Sequence, residues 1–289
     1  MILVTGAGGT VGTELVKALT RDKAALRVAF HAPEKAARAR AAGLDAVVVD
    51  FARPATLRAA LSGVSRLFLL SVAGPHLASW EGGAAEEAAR AGVRHVVKLS
   101  VWRASEEEYA LARWHRSAEK AIEASGVPFT FLRPNSFMQN FVTHHLASLR
   151  AGSLPLPAGG ARVSHVDVRD VAEVAARILA EDSHASHAYD LSGPESLSYA
   201  QTTHILSAAW GRKIAYLEVT DADFLRGMTE GGAPPWFAEA ILDLQRYAKR
   251  GQAADVLGSV QQILQRKPTT LARFAADHVA RFLGKEMDG

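Results

Sequence analysis

Three glycines near the start of the chain stand at every third position. Gly6, Gly9 and Gly12 follow a short apolar run, in the stretch Thr5-Gly-Ala-Gly-Gly-Thr-Val-Gly12. A glycine directly after a strand permits a tight turn, the next lets backbone N–H groups approach a pyrophosphate, and the third lets a helix pack closely on the strand. The positive end of that helix adds attraction for phosphate. The pattern predicts a dinucleotide site formed by Gly6, Gly8, Gly9, Thr10, Val11 and Gly12.

The residues after the second predicted strand indicate which dinucleotide is bound. An NAD site commonly has an acid there for the ribose hydroxyls, whereas an NADP site has a basic residue for the 2′-phosphate. The chain has Phe30-His31-Ala-Pro-Glu-Lys35, with no carboxylate at the strand end. An ordinary imidazole is largely neutral at pH 7, so His31 would attract phosphate weakly, and Lys35 contributes if the loop curls back. We expect NADPH, with NADH as a competitor; alternatively, His31 is a solvated loop residue.

Further candidates follow the carboxyl ends of other predicted strands, where doubly wound sheets form their binding crevice. Those expected to contact the cofactor are Asp50, Phe51, Ser71, Val72, Ser100, Pro134, Asn135 and Ser136. Those expected to contact the substrate are Gly74, Pro75 and Val101. Short polar side chains also cap backbone groups at strand ends, which is the alternative for Ser100 and Asn135.

Large apolar side chains could line a flat pocket between two lobes, suited to an aromatic substrate. The candidates are Trp80, Trp114, Phe137, Met138, Trp236 and Phe237. Such residues are more often part of the core, so each has that alternative.

Strand and helix signals alternate through the first half of the chain, which requires a parallel sheet covered by helices on both faces. The predicted strands are 2–5, 26–30, 46–49, 66–70, 95–99, 128–134, 163–166 and 189–191. The predicted helices are 13–20, 33–42, 57–61, 77–91, 106–125, 170–180, 199–210, 237–249 and 270–283. We expect an α/β fold, a Rossmann-type doubly wound parallel sheet with a smaller, mostly helical C-terminal lobe. The expected domains are 1–194 and 195–289, with 152–162 crossing to the second lobe.

Composition narrows the class of protein. The 289 residues are 48% hydrophobic, which suffices for a core, and no apolar run approaches the roughly 20 residues of a membrane span. The first strand begins almost at residue 1 and leaves no room for a signal peptide, so we expect a cytoplasmic protein. Without cysteine, disulfides and thiolate chemistry are excluded. A net charge of +3, scattered along the chain, does not favour nucleic-acid binding, and the pairs His144-His145 and His184-Ala-Ser-His187 match no metal motif.

Several stretches together carry a resemblance to a known family. Besides the glycine loop they are Ala32-Pro-Glu-Lys35, Asp50, Val97-Lys-Leu-Ser100, Trp114-His115, Ser125-Gly-Val-Pro-Phe-Thr-Phe-Leu-Arg-Pro-Asn-Ser-Phe-Met138, Val163-Ser-His-Val-Asp-Val-Arg-Asp170 and Asp190-Leu-Ser-Gly-Pro-Glu195. Over nearly its whole length the chain resembles the NmrA-like branch of the atypical short-chain dehydrogenases/reductases. That branch contains NADPH-dependent quinone, triphenylmethane-dye and ergot-alkaloid imine reductases, and regulators that bind the dinucleotide without turning it over. NADPH-using members often carry arginine at the position of His31.

The resemblance also suggests a catalytic residue. His115 falls where the related aromatic-ether reductases carry a catalytic lysine, on the helix facing the nicotinamide, and Pro134 to Phe137 would lie beside that ring. Imidazole can donate a hydrogen bond or a proton near neutral pH. Alternatively, His115 pairs with Glu119 one turn along the helix surface. The Tyr-x-x-x-Lys pair of better-known short-chain dehydrogenases is missing; its nearest counterpart begins at Tyr109, which we expect on a helix surface.

The expected function is an NAD(P)H-dependent reductase. Hydride would pass to an electron-poor C=O, C=N or conjugated carbon of a small aromatic substrate, and His115 or water would supply the proton. The alternative is a non-catalytic regulator that senses NADP(H) and binds a protein partner. We expect a small-molecule substrate, no metal, and a monomer or homodimer.

Overall fold

The computed structural model describes residues 1–285 of the chain. Its strands in chain order are β1 (Ile2–Val4), β2 (Leu26–Phe30), β3 (Asp45–Val48), β4 (Arg66–Leu69), β5 (His95–Leu99), β6 (Phe129–Pro134), β7 (Ser153–Leu156), β8 (Arg162–Val163), β9 (His187–Leu191), β10 (Leu197–Ser198) and β11 (Ala215–Glu218). Its α-helices are α1 (Thr10–Arg21), α2 (Pro33–Ala41), α3 (Pro54–Ala60), α4 (Leu77–Arg90), α5 (Ala110–Ala124), α6 (Leu146–Arg150), α7 (Val168–Ala180), α8 (Tyr199–Trp210), α9 (Asp221–Glu230), α10 (Pro235–Lys249), α11 (Ser259–Leu264), α12 (Leu271–Asp277) and α13 (Val279–Phe282). Two 3-10 turns cover Ala104–Glu106 and Met138–Val142.

Seven strands form the main sheet in the order β3-β2-β1-β4-β5-β6-β9. The pairs β1/β2, β1/β4, β2/β3, β4/β5 and β5/β6 all run parallel. The chain winds outward from β1 in one direction and then from β4 in the other, so the order reverses between these two strands. The predicted Rossmann-type doubly wound sheet is therefore confirmed, and its crevice is expected at the carboxyl ends of β1 and β4.

The first of two compact units holds this sheet and comprises residues 1–107, 112–134 and 168–190. Leu67, Phe68 and Leu69 of β4 are fully buried, as are Val96 and Val97 of β5, because helices cover parallel strands on both faces. Helix α1 places Leu15, Ala18 and Leu19 in the core. The buried side chains hold the strand ends of this unit in fixed positions.

The second unit comprises residues 108–111, 135–167 and 191 onward. It contains the parallel pair β7/β11, the antiparallel pair β8/β10 and the helices from α8 onward. Helix α8 begins with a capping box between Ser198 and Gln201. The second unit has its own hydrophobic core, in which Trp210 stacks on Phe282 with ring centroids 4.1 Å apart.

Most predicted elements agree with the structure to within a few residues, but several differ. The predicted helix 106–125 begins only at Ala110, because Arg103 and Glu107 adopt left-handed backbone angles. The predicted strand 163–166 pairs as a strand only at its start, in β8. The predicted helix 270–283 is interrupted at His278. Strands β7 and β11 were not predicted; each is four residues long and they pair only with each other.

The segment that packs with the second unit is 135–167, which extends well beyond the expected crossing segment 152–162. The domain boundary at residue 194 stays a prediction. None of the helices described within residues 1–285 is both long and apolar enough to cross a membrane.

Candidate functional site

The glycine loop connects β1 to α1 through a close backbone contact. Gly6 has φ +64°, and the N–H of Gly9 donates to its carbonyl oxygen at 2.9 Å. A Cβ atom on Gly12 would lie 2.1 Å from that same oxygen. Only glycine fits at residue 12 without displacing the backbone, so the structure gives it the packing role that the spacing suggested.

The amino end of α1 offers the donors that a pyrophosphate requires. Gly9 is the N-cap, no side chain caps the helix, and its first turn contains no acidic residue. Gly8, Gly9 and Thr10 are exposed, whereas Val11 and Gly12 are buried beneath them. The first N–H groups of a helix have no partners within it, and nothing acidic here repels an anion. The loop therefore fits a diphosphate.

The side chain of Lys35 lies beside this loop. A Cβ atom on Gly8 would be 3.4 Å from the ring of Phe30 and 3.6 Å from Cδ of Lys35. Lys35 and His31 are both exposed. The aliphatic part of the Lys35 side chain thus lies beside Gly8. That Lys35 binds a 2′-phosphate stays a prediction.

Residues after β3 and β4 shape the neighbouring loops. Asp50 caps its own turn, with Oδ1 accepting from the N–H of Ala52 at 3.0 Å, and the Phe51 ring stacks on Trp80. Thr5, which the sequence did not single out, ties β1 to β4, since its Oγ1 donates to the carbonyl of Phe68 and accepts from the N–H of Leu70.

The loop after Leu70 contains Ser71 and Val72, followed by Gly74 and Pro75. Ser71 donates to Oε1 of Glu81 twice, from its N–H at 3.1 Å and from its Oγ at 3.0 Å. Val72 is 76% exposed, unusual for a large aliphatic side chain and therefore available for contact. Pro75 is exposed and Gly74 is buried.

A lysine lies inside the sheet, on β5. Lys98 is fully buried, and its Nζ is 2.7 Å from Oε2 of the equally buried Glu81 of α4, although the angles fall outside hydrogen-bond geometry. The same Nζ donates to the Leu99 carbonyl at 3.0 Å and lies 3.0 Å from Nδ1 of His115 on α5. Three acceptors thus surround one ammonium group.

His115 is buried at the centre of this network. Burial and the neighbouring charge of Lys98 hold the pKa of His115 well below its usual range, so its imidazole is neutral at pH 7. The neutral imidazole can donate a hydrogen bond through its N–H, but it is not an imidazolium that could act as a general acid. The expected alternative, a surface pair with Glu119, is wrong because Glu119 is engaged with other partners.

Those partners are Ser100 and Arg133. The Oγ of Ser100 donates to Oε1 of Glu119 at 2.6 Å, and Arg133 donates to both carboxylate oxygens, at 2.9 and 2.7 Å. Burial alone would raise the pKa of Glu119, but the hydrogen bonds and charge of Arg133 outweigh it and lower that pKa. Ser100 is therefore bonded to a side chain and does not cap the backbone. Val101, the next residue, and Trp114 on α5 are both half-buried.

The candidates from Asn135 to Met138 belong to the second unit, directly after Pro134 ends β6. Asn135 donates from Nδ2 to Oγ of Ser164 and to the Ala253 carbonyl, both at 2.9 Å, and its Oδ1 accepts from the N–H of Ser136. These bonds are of the capping kind offered as its alternative. Phe137 forms an isolated bridge to Val166 and is half-buried, whereas Met138 is a buried core residue.

Two further aromatic candidates in the second unit take opposite environments. Trp236 is 46% exposed at the start of α10 and packs edge-on against Phe237. Tyr109, expected on a helix surface, is fully buried and packs against Tyr247 with ring centroids 4.7 Å apart. That expectation is wrong because Tyr109 precedes α5 and contributes to the core of the second unit.

Sequence reasoning did not single out Glu81, Lys98 or Arg133, and it named Glu119 only as a surface partner of His115. One signal was available: Lys98 and Arg133 place a charge in strands that are otherwise mainly apolar, and a charge inside a covered strand needs a partner. Among residues 1–285, no group of three or more histidine or acidic side chains could hold a metal ion.

Comparison with known proteins identifies the family. A model of the NmrA-like family matches residues 1–275 of the chain. The chain belongs to the NmrA-like family. Among its NmrA-like relatives is the NAD(P)H azoreductase of Xenophilus azovorans, 33% identical over 283 residues that cover 98% of this chain and 99% of the relative.

Two other similar proteins are a second curated relative and a solved structure. The (4-alkanoyl-5-oxo-2,5-dihydrofuran-3-yl)methyl phosphate reductase of Streptomyces griseus is 36% identical over 284 residues, covering 98% of this chain and 99% of the relative. The crystal structure of an NADPH-dependent quinone oxidoreductase of Escherichia coli, complexed with NADPH, superposes with a TM-score of 0.86 at 26% identity, covering 96% of this chain and 99% of the other.

Proposed function

We propose that this NmrA-like chain is an NAD(P)H-dependent reductase of small, conjugated acceptors. The observation that carries the proposal is the glycine loop: Gly6 and Gly12 are in close contact, and the exposed amino end of α1 has no side-chain cap and no acidic residue in its first turn. Residues Gly6, Gly8, Gly9, Thr10, Val11 and Gly12 would hold the diphosphate. When bound, the reduced nicotinamide supplies hydride.

Lys35 supports a preference for NADPH. Its side chain lies against Gly8, and no carboxylate stands at the end of β2 to repel a 2′-phosphate. NADH remains a competing cofactor, because a single exposed ammonium provides a modest attraction.

His115 is the proposed catalytic side chain. As a neutral imidazole it donates a hydrogen bond to the substrate atom that gains negative charge, and water delivers the proton that completes the reduction. Imidazolium chemistry is not required. Ser71, Ser100 and Pro134 of the first unit are proposed to border the cofactor, and Gly74, Pro75, Val101 and Trp114 to border the substrate. For Asn135, Ser136, Phe137 and Trp236, which belong to the second unit, such contacts stay predictions.

The substrate class follows from what the relatives have in common. The azo group, the quinone and the oxo-dihydrofuran of their names are all electron-poor conjugated systems. We therefore propose a small conjugated C=O, C=N, N=N or C=C acceptor.

The test follows cofactor oxidation at the nicotinamide absorbance with a benzoquinone, an azo dye, a triphenylmethane dye and an imine, and with an aliphatic ketone as the unconjugated control. We expect turnover of at least one conjugated acceptor and a fall in kcat of about a hundredfold in His115→Gln, with cofactor affinity unchanged. The matched control is Lys120→Gln, an exposed residue of the same helix. Tight cofactor binding without turnover of any acceptor would support the sensing regulator instead, and failure to bind either reduced cofactor would exclude both functions.

A further inference from the structure

The side chains of β5 and α5 meet in matching pairs. Lys98 and Ser100 are two residues apart on a strand, and His115 and Glu119 are four apart on a helix, so each pair shares one face of its element. Nζ of Lys98 reaches Nδ1 of His115 at 3.0 Å, and Oγ of Ser100 reaches Glu119 at 2.6 Å. The strand therefore fixes the side chains of the helix at two successive turns.

Lys98 is held from the opposite side by α4. Its ion pair with Glu81 is buried, and Glu81 is in turn fixed by the two hydrogen bonds from Ser71. Helices α4 and α5 approach closely where Gly82 faces Ala121, since a Cβ atom on Gly82 would be 2.8 Å from the Cβ of Ala121. Close helix packing thus keeps Glu81, Lys98 and His115 within one network.

The hydrogen bond from Lys98 determines which nitrogen of His115 carries the proton. An ammonium group has no lone pair and can only donate, so Nδ1 must be the acceptor. A neutral imidazole with an accepting Nδ1 is protonated on Nε2. Within residues 1–285, Nε2 of His115 makes no hydrogen bond, and it is not one of the fully buried polar atoms that lack a partner. Its N–H is therefore accessible to a ligand.

We propose that Lys98 is a positioning residue that holds His115 as the Nε2–H tautomer and polarises that N–H toward the substrate, with Glu81 anchoring the ammonium. The inference rests on the proposed function for its catalytic meaning, but the tautomer can be observed without turnover. Stability alone does not require the ammonium, because apolar replacements of buried ion pairs are often neutral or stabilising.

The first test is nuclear magnetic resonance of protein labelled with ¹⁵N in its histidines, with His115 assigned from the His115→Gln spectrum. In wild type we expect one tautomer, with an unprotonated Nδ1 and a protonated Nε2. In Lys98→Met/Glu81→Gln, which leaves no unpaired buried charge, we expect a mixture of both tautomers. Lys120→Met, which removes an exposed ammonium from α5, should leave the wild-type signals unchanged. The wild-type tautomer persisting without Lys98 would overturn the proposal.

The second test is a double-mutant cycle with the best acceptor of the wild type. We expect Lys98→Met/Glu81→Gln to lower kcat about tenfold or more while cofactor affinity and thermal unfolding stay near wild type. The variant that combines all three substitutions should have the same kcat as His115→Gln alone, because both sets of changes abolish the same hydrogen bond from His115 to the substrate. Additive losses would mean that Lys98 acts only on structure and would refute the proposal. Were wild type inactive on every acceptor, the proposed function would fail, while the tautomer measurement would still decide the role of Lys98.

Discussion

The carbonyl oxygen of Gly6 occupies the space where residue 12 would carry a side chain. A Cβ atom on Gly12 would lie 2.1 Å from that oxygen and 2.8 Å from Cα of Ala7, both backbone atoms that cannot turn aside. The first strand and the first helix therefore touch backbone to backbone. This contact sets where the amino end of α1 lies and hence where its N–H groups point.

We expect Gly12→Ala to weaken binding of both NADPH and NADH by at least about tenfold, because α1 must move away from Gly6 and misalign its N–H groups. The overlap should also lower the free energy of unfolding by about 1–3 kcal/mol. Calorimetric titration and urea denaturation measure the two effects. Gly83→Ala is the control: that glycine lies in α4 with open space around it, so alanine should raise stability by about 0.5–1 kcal/mol and leave binding intact. Cofactor binding by Gly12→Ala with wild-type affinity would contradict the proposed diphosphate site at the glycine loop.

Lys35→Met should separate the two cofactors. We expect NADPH affinity to fall about five- to tenfold and NADH affinity to stay unchanged, since only NADPH has a 2′-phosphate for the ammonium to attract. The difference should shrink at high salt. Lys17→Met, which removes an exposed lysine of α1, should affect neither affinity. Equal losses for both cofactors would show that Lys35 supports the loop and does not read the phosphate.

Two glutamates one turn apart on α5 should differ sharply in their contribution to stability. Glu119→Ala leaves the guanidinium of Arg133 buried without its carboxylate, and we expect a loss of about 3–5 kcal/mol in the free energy of unfolding. Glu123→Ala breaks a partly exposed pair with Arg116 and should lose no more than about 1 kcal/mol. Chemical denaturation of both variants measures the difference. Similar losses would mean that the buried pair contributes little.

Acid should destabilise the protein through its buried histidines. Burial, together with nearby positive charges, lowers the pKa of His165 to about 3 and those of His95 and His145 to about 4. Between these values and about 6.5 the unfolded chain binds more protons than the folded one, so stability is full above that range and falls as the pH drops through it.

Replacing one of these histidines should reduce the pH dependence. His165 packs between the rings of Phe141 and Tyr199, so His165→Phe preserves an aromatic environment. We expect the slope of unfolding free energy against pH to decrease by up to about 1.4 kcal/mol per pH unit between pH 6 and pH 4. Denaturation curves at several pH values test this, and slopes equal to those of wild type would show that His165 titrates alike in both states.

The sheet was accessible to sequence reasoning because its signals are local. Strand β2 and strand β5 have the predicted bounds, since their apolar residues and flanking turns define them without help from the rest of the chain. Strands β7 and β11 were missed because each pairs with the other, about sixty residues away along the chain, and such pairing leaves no local signal.

The candidate site divides in the same way. The spacing of Gly6, Gly9 and Gly12 reports a backbone conformation, which sequence can specify directly. The network of Glu81, Lys98 and His115 depends on three elements meeting in the fold, and no spacing along the chain encodes it. Even there, a lysine in the middle of a covered strand was a visible sign that partners had to exist.

The charge of Lys98 also disfavours compact misfolded states of the chain. An ammonium sealed inside the sheet without acceptors is strongly unfavourable, so compact states in which α4 or α5 covers another strand are penalised. Only the native order delivers Glu81 and His115 to the same nitrogen, from positions 17 residues before and after Lys98. Lys98 therefore acts against misfolded topologies as well as within the native one.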